Sequence, residues 1–164
     1  NRGTVQDTGV TRLGNDNWIM AYVHIAHDCQ IGNNTVFANN TTLGGHIEVG
    51  DYAIFGGFSG AHQFCKIGSH SFLGIYSGVA KDLPPYVIVT GQPAVPRGIN
   101  IQGLKRRGFT TEQIRNIKNA YKLLYKSDLR LEEAQEKILG LNEVSNELQV
   151  MLEFIQASTR GIIR

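Results

Sequence analysis

Read every six residues from Leu13 to Val79, the chain gives an unbroken apolar column: Leu13, Ile19, Ile25, Ile31, Phe37, Leu43, Val49, Phe55, Ala61, Ile67, Leu73 and Val79. Of the twelve residues that follow these, eleven are Gly, Ala or Met, and the twelfth is His62. A period of six matches neither the helix nor the isolated strand. It matches a short strand followed by a tight corner, with the apolar side chain inward and the small residue at the bend. Three hexads close a triangular coil of 18 residues, and such coils stack at the parallel-strand spacing of about 4.8 Å. One coil cannot bury its own apolar face, so the stack is the core. An amphipathic helix is excluded by the spacing and by the glycines. Gly44-Gly45 and Gly56-Gly57 lack the spacing of a dinucleotide-binding loop.

The pattern predicts a mainly β protein, a left-handed parallel β-helix over residues 1–85. Its handedness follows from the likeness of the hexads to known solenoids. Coils are expected at 13–30, 31–48, 49–66 and 67–84. Asn1 to Val5 already reads as solenoid sequence, so earlier coils are expected to precede it, and Asp7-Thr8-Gly9 reads as a protruding turn. Asn33, Asn34, Asn39 and Asn40 fall at or near corners, where Asn tolerates unusual dihedrals. Pro84-Pro85 is expected to stop the ladder, since neither residue donates a backbone hydrogen bond. Residues 86–103 read as one more strand and a linker, and 104–164 as a small helical domain. Thr110 and Gln113 form a capping-box pair ahead of a stripe at Ile114, Ile117, Tyr121 and Leu124. A second stripe runs through Leu131, Ala134, Ile138 and Leu141, and a third through Val144, Leu148, Leu152 and Ile155.

Composition narrows the function classes. A net charge of +2 over 164 residues is too mild to argue for nucleic acid. No run of 18 apolar residues is present, so no membrane span is expected. Cys29 and Cys65 lack a disulfide framework, which fits a cytoplasmic location.

Candidate chemistry emerges when the chain is folded at 18. His27 plus 18 is Gly45, next to His46; His46 plus 18 is Phe64, close to His62 and Gln63. These polar residues then line one edge of the prism. Exposed corner histidines without a role are one reading. A zinc site shared between subunits, as in hexapeptide-repeat carbonic anhydrases, is another. The third is a general base: a neutral imidazole taking a proton from a hydroxyl that attacks an activated acyl group. Asp28 is then the candidate to orient His27, and the Gly45 N–H to meet a developing oxyanion. No Gly-x-Ser-x-Gly elbow supports a serine nucleophile. A second cluster, Asn100 to Gly108, places Lys105, Arg106 and Arg107 at a helix entrance, suited either to a diphosphate or to a solvated basic turn.

The stretches His24-Ile25-Ala26-His27-Asp28-Cys29, Gly45-His46, His62-Gln63-Phe64-Cys65, Asn100 to Phe109 and Ser158-Thr159-Arg160-Gly161 closely resemble the bacterial UDP-N-acetylglucosamine O-acyltransferases, which catalyse the first step of lipid A synthesis. The resemblance covers essentially the whole chain and the C-terminal three-fifths of a family member. It implies a homotrimer with active sites between neighbouring subunits. It also implies transfer of a 3-hydroxyacyl group from acyl carrier protein to the 3-hydroxyl of the sugar nucleotide, with no cofactor and no metal. Under it His27 is the base, Asp28 its partner and Gly45 the oxyanion donor. His24, His46, His62 and Gln63 position the donor and the sugar nucleotide; Asn100, Gln102, Arg106 and Arg107 handle the nucleotide, its phosphates or the carrier. Three positions depart from the family: Asn1, where a histidine is common, Gln102, where several relatives have Glu, and Ile75. Ile75 replaces the glycine of long-chain members, which implies a shortened acyl pocket and a preference for ten- or twelve-carbon donors. The sister N-acyltransferase and a catalytically silent trimeric scaffold are the alternative readings.

Overall fold

A computed structural model describes residues 1–5, 9–141 and 145–164. The chain runs through two-residue strands β1 (Arg12–Leu13), β2 (Trp18–Ile19), β3 (His24–Ile25), β4 (Gln30–Ile31), β5 (Val36–Phe37), β6 (Thr42–Leu43), β7 (Glu48–Val49), β8 (Ile54–Phe55), β9 (Gly60–Ala61), β10 (Lys66–Ile67), β11 (Phe72–Leu73) and β12 (Gly78–Val79). Residues pair in parallel with those 18 further on, as in Arg12 with Gln30 and His24 with Thr42. Three faces result: β1-β4-β7-β10, β2-β5-β8-β11 and β3-β6-β9-β12. This is the left-handed parallel β-helix the hexads predict.

Each hexad sends two side chains inward. Besides the large column, a second one holds Cys29, Thr35, Thr41, Ile47, Ala53, Ser59, Cys65, Ser71 and Ser77, all buried. The two cysteines are therefore small core residues, free and unreactive; burial pushes the Cys65 thiol up to about 11. The corners share one conformation. Asp16, Tyr22, Asp28, Asn34, Asn40, His46, Tyr52, Phe58, Phe64, His70 and Tyr76 all have φ between 55° and 67°. Left-handed backbone costs a non-glycine residue about 1–2 kcal/mol. Stacking repays part of this at about 0.5–1.5 kcal/mol per aromatic pair: Tyr52 lies on His70 and Phe58 on Tyr76, with ring centroids 4.9 and 5.1 Å apart.

Pro84-Pro85 does not stop the ladder. The coil is already two residues shorter ahead of it, with Ile67 bridging Leu83 where Ala61 and Val79 still keep 18, and β13 (Val87–Thr90) pairs with β11 in the same register of 16, Phe72 to Ile88. Pro85 takes the space a side chain at Gly68 would need. β14 (Val95–Ile99) then returns antiparallel on β13, where the sequence suggested only a turn and linker.

Four helices follow among the described residues, against three stripes in the sequence: α1 (Ile101–Arg106), α2 (Thr111–Tyr125), α3 (Leu131–Leu139) and α4 (Asn146–Gln156). The additional one, α1, is too short to show an amphipathic repeat. It is nucleated by Asn100, whose Oδ1 accepts from Gly103 N at 3.1 Å. Thr110 and Gln113 form the expected capping box. Val144 of the third stripe, like Asp7 and Thr8 of the turn, lies outside the described residues. α2 packs on β14, and α3 and α4 pack on α2. The tail returns to the last coil, with Ser158 Oγ donating to buried Asp82 at 2.6 Å.

Candidate active site

The 18-residue register puts Asp28, His46 and Phe64 in one corner column, and His27, Gly45 and Gln63 in the column beside it. Asp28 is 2% exposed. His27 Nδ1 lies 3.0 Å from Asp28 Oδ2, and His46 Nε2 lies 3.9 Å from the same oxygen. The His27 and His46 rings meet edge to face at 5.0 Å, and the other face of His46 is stacked on Phe64 at 4.6 Å.

Burial by itself would raise the Asp28 pKa. Hydrogen bonds from Thr4 and His27 and the nearby His46 outweigh it and hold the carboxyl at about 2. Asp28 is therefore ionised at neutral pH and can only accept. His27 Nδ1 must carry the proton, which leaves the Nε2 lone pair as the base.

Gly45 is glycine because the His27 ring lies against it. A Cβ there would sit 2.6 Å from His27 Cε1 and 2.8 Å from Nε2. Among the described residues none accepts the Gly45 N–H. Gly44 is likewise covered by Gln63, whose amide nitrogen lies 2.6 Å from where a Cβ would be.

His62 and Gln63 are exposed where β9 runs into this corner, and His62 Nδ1 donates to the Gln63 carbonyl at 3.1 Å. His24 is exposed on β3, on the face that leads into the same corner, and lines a small cleft with Asn1, Thr11 and Val23. Donor atoms of His27, Asp28 and His46 lie within 4.8 Å of one another, making this a set that could hold an ion. Asp28 Oδ2, however, already faces His27 Nδ1 and two Thr4 donors.

The Asn100 cluster lies on a different edge. Asn100 is 6% exposed and both halves of its amide are engaged, with Gly103 N and with the His70 carbonyl. Arg107 places its guanidinium 4.9 Å from the Tyr52 ring centroid, and its Nη1 is buried without a described partner. Gln102 and Arg106 are exposed on α1. This corner holds the stack of Tyr52, His70 and Tyr86. Within one chain, then, the two predicted clusters are not brought together.

Ile75 stands at the third corner, beside Tyr76, and is 64% exposed. It is not buried within the chain, so any acyl pocket it closes needs a second surface. A groove of about 650 Å³ lies elsewhere, between the β1-β4-β7-β10 face and α4, and contains none of the predicted site residues.

Two residues were missed by the sequence reading. Thr4 donates through its amide and hydroxyl to the Asp28 carboxylate, and Thr11 Oγ1 accepts from the Asp28 amide at 2.9 Å. The register would have shown that Asp28 stacks on His46. Thr4 gave no such signal, because it lies 24 residues from Asp28 and not 18.

The family model described as UDP N-acetylglucosamine O-acyltransferase, domain 2, matches residues 82–163, and that of the bacterial transferase hexapeptide matches residues 11–45. The chain belongs to the UDP-N-acetylglucosamine O-acyltransferase family. The acyl-[acyl-carrier-protein]--UDP-N-acetylglucosamine O-acyltransferase of Thiobacillus denitrificans is 57% identical over 164 residues, all of this chain and 64% of that protein. Its counterpart in Janthinobacterium sp. is 55% identical, again over all of this chain and 64% of the relative. The crystal structure of UDP-N-acetylglucosamine O-acyltransferase from Moraxella catarrhalis superposes with a TM-score of 0.96 at 42% identity, covering 99% of this chain and 63% of that one. The Acinetobacter baumannii structure gives 0.94 at 44% identity, with 99% and 64% covered. The chain thus spans about 64% of the length of these curated relatives. No helix among the described residues is long and apolar enough to cross a membrane.

Proposed function

We propose that the protein transfers a 3-hydroxyacyl group from acyl carrier protein to the 3-hydroxyl of UDP-N-acetylglucosamine, with His27 as general base. The observation that carries this is the His27–Asp28 pair lying against Gly45, with Nδ1 facing an ionised carboxylate and Nε2 left basic. His27 Nε2 takes the proton of the sugar hydroxyl as its oxygen attacks the thioester carbonyl. The Gly45 N–H meets the oxyanion of the tetrahedral intermediate. Collapse breaks the carbon–sulfur bond, and the imidazolium returns its proton to the leaving thiolate. His24, His46, His62 and Gln63 ring this corner and suit contacts to the sugar and donor.

The second cluster supports a site shared between copies. Arg107 offers a buried, unspent donor of the kind a diphosphate accepts, with Arg106 exposed nearby and Asn100 and Gln102 at the start of α1. Since this edge differs from that of His27, a site using both draws them from two subunits, as in a homotrimer. Ile75 at a third exposed corner would then close an acyl groove against a neighbour and favour ten- or twelve-carbon donors. Two free, buried cysteines fit a cytoplasmic location.

The test is turnover of 3-hydroxyacyl-loaded acyl carrier protein with UDP-N-acetylglucosamine, before and after His27→Ala. The substitution is expected to lower kcat by at least about 100-fold without altering the fold. Turnover retained in the variant refutes the base assignment.

A further inference from the structure

The hexad repeat accounts for the backbone position of Asp28 but not for what holds its carboxylate. Within the 18-residue register the residue above Asp28 is Val10. Thr4, 24 residues from Asp28, bonds to it although the register would place Val10 there. Gly3 lies against Gly9 and Val10, where a Cβ would stand 2.0 Å from the Gly9 carbonyl carbon and 2.1 Å from Val10 N. Thr4 N then stands 2.9 and 3.0 Å from Asp28 Oδ1 and Oδ2, and Thr4 Oγ1 lies 2.7 Å from Oδ2. Thr11, which the register places over Cys29, takes the Asp28 amide on its own hydroxyl at 2.9 Å. Thr4, off the register, and Thr11, on it, thus meet at one carboxyl-bearing corner.

We propose that Thr4 is a positioning residue for acyl transfer: its hydroxyl fixes the Asp28 carboxylate so that Oδ2 presents one remaining acceptor direction to His27 Nδ1. The inference rests on the reading of His27 as the base. Three donors, Thr4 N, Thr4 Oγ1 and His27 Nδ1, converge on Oδ2. A carboxylate free to rotate about its Cβ–Cγ bond would offer Nδ1 either oxygen in many directions. Clamped from the far side by Thr4, it holds the imidazole plane and keeps the proton on Nδ1. Orienting partners of this kind govern the tautomer and aim of histidines that bind metals, and the physical reason carries over. The hydroxyl also draws charge from Oδ2, and so tempers how strongly the carboxylate stabilises an imidazolium.

The test is steady-state kinetics on the intact protein with Thr4→Val, which keeps the shape and the backbone donor but removes the hydroxyl, and Thr4→Ser, which restores it. Thr4→Val is expected to lower kcat about 10- to 100-fold, the range seen when such an orienting partner is lost, with KM within about twofold. The acid limb of its pH–kcat profile should move to higher pH, because Oδ2, relieved of the hydroxyl, presents more charge to the imidazolium. Thr4→Ser should return kcat and the acid limb toward those of the native protein. In an Asp28→Ala background the Thr4→Val loss should vanish. Native kcat and acid limb in a folded Thr4→Val protein overturn the inference. So does a Thr4→Ser protein as impaired as Thr4→Val, or a Thr4→Val loss undiminished without Asp28. If valine is not accommodated, as thermal melts would reveal, Thr4→Ala compared with Thr4→Ser decides on the same criteria. Inactive His27→Ala together with unaffected Thr4→Val refutes this inference alone; active His27→Ala refutes the base reading beneath it.

Discussion

Replacing Gly45 by alanine separates the placing of the base from the other duties of its corner. The added Cβ would stand 2.6 Å from His27 Cε1 and 2.8 Å from Nε2. Ordinary carbon–carbon contact needs about 3.5–4.0 Å, so the imidazole must withdraw by about 1 Å. It is free to do so, since the His27 side chain is 38% exposed and swings toward solvent. Gly45 is not in the left-handed region, so alanine brings no backbone strain and stiffens the unfolded chain, worth about 0.4–1 kcal/mol in favour of the fold. Stability should therefore hold or rise slightly. Activity should not: a misplacement of 1 Å at a reacting group costs about 100-fold, equivalent to about 2.7 kcal/mol of transition-state stabilisation. The N–H of residue 45 remains, so the loss reports the displaced base and not a missing oxyanion donor. Initial rates with acyl-loaded carrier protein and UDP-N-acetylglucosamine, paired with a thermal melt, measure both quantities. A Gly45→Ala protein with kcat within about threefold of native would refute the reasoning that the His27 ring is held on Gly45 in its working position.

Other outcomes follow from the same geometry. Ile75→Gly should shift donor preference from ten or twelve carbons toward fourteen, read by competing acyl carrier proteins of each chain length; unchanged preference removes Ile75 as the ruler. Phe37→Ala empties a fully buried position stacked 4.7 Å from Phe55, and should cost about 3–5 kcal/mol in chemical denaturation. Burial, with Arg107 nearby, lowers the His70 pKa to about 4 from an ordinary 6.5, so the folded protein refuses a proton that the unfolded chain accepts. Stability should then fall as pH drops from 6.5 toward 4. His70→Phe, which keeps the ring between Tyr52 and Tyr86, should flatten that part of the melting profile; an unchanged slope assigns it to other groups.

The hexads specified the solenoid because each is a self-contained strand and corner, repeated without interruption from Leu13 to Val79. Local pattern and global stacking carry the same information there, so period, register and inward column could be read directly. The capping box at Thr110 was legible for the same reason: it depends on residues three apart. The stacking of Asp28 on His46 follows from a fixed shift of 18, whereas adjacency makes Asp28 only a candidate partner of His27, and the fold brings the two to 3.0 Å. What the repeat does not encode, it could not reveal. The contact of Thr4 with Asp28 departs from the register, and the last coil loses two residues between Val79 and Leu83 without ending the stack. Asn100, which caps the short helix α1, is tied to the His70 carbonyl across 30 residues. The placing of Arg107 against the Tyr52 ring is likewise tertiary. Sequence determines which residues recur at each position of a coil and which edge they share; the three-dimensional structure decides the contacts that depart from the period, because those are set by chain closure and packing.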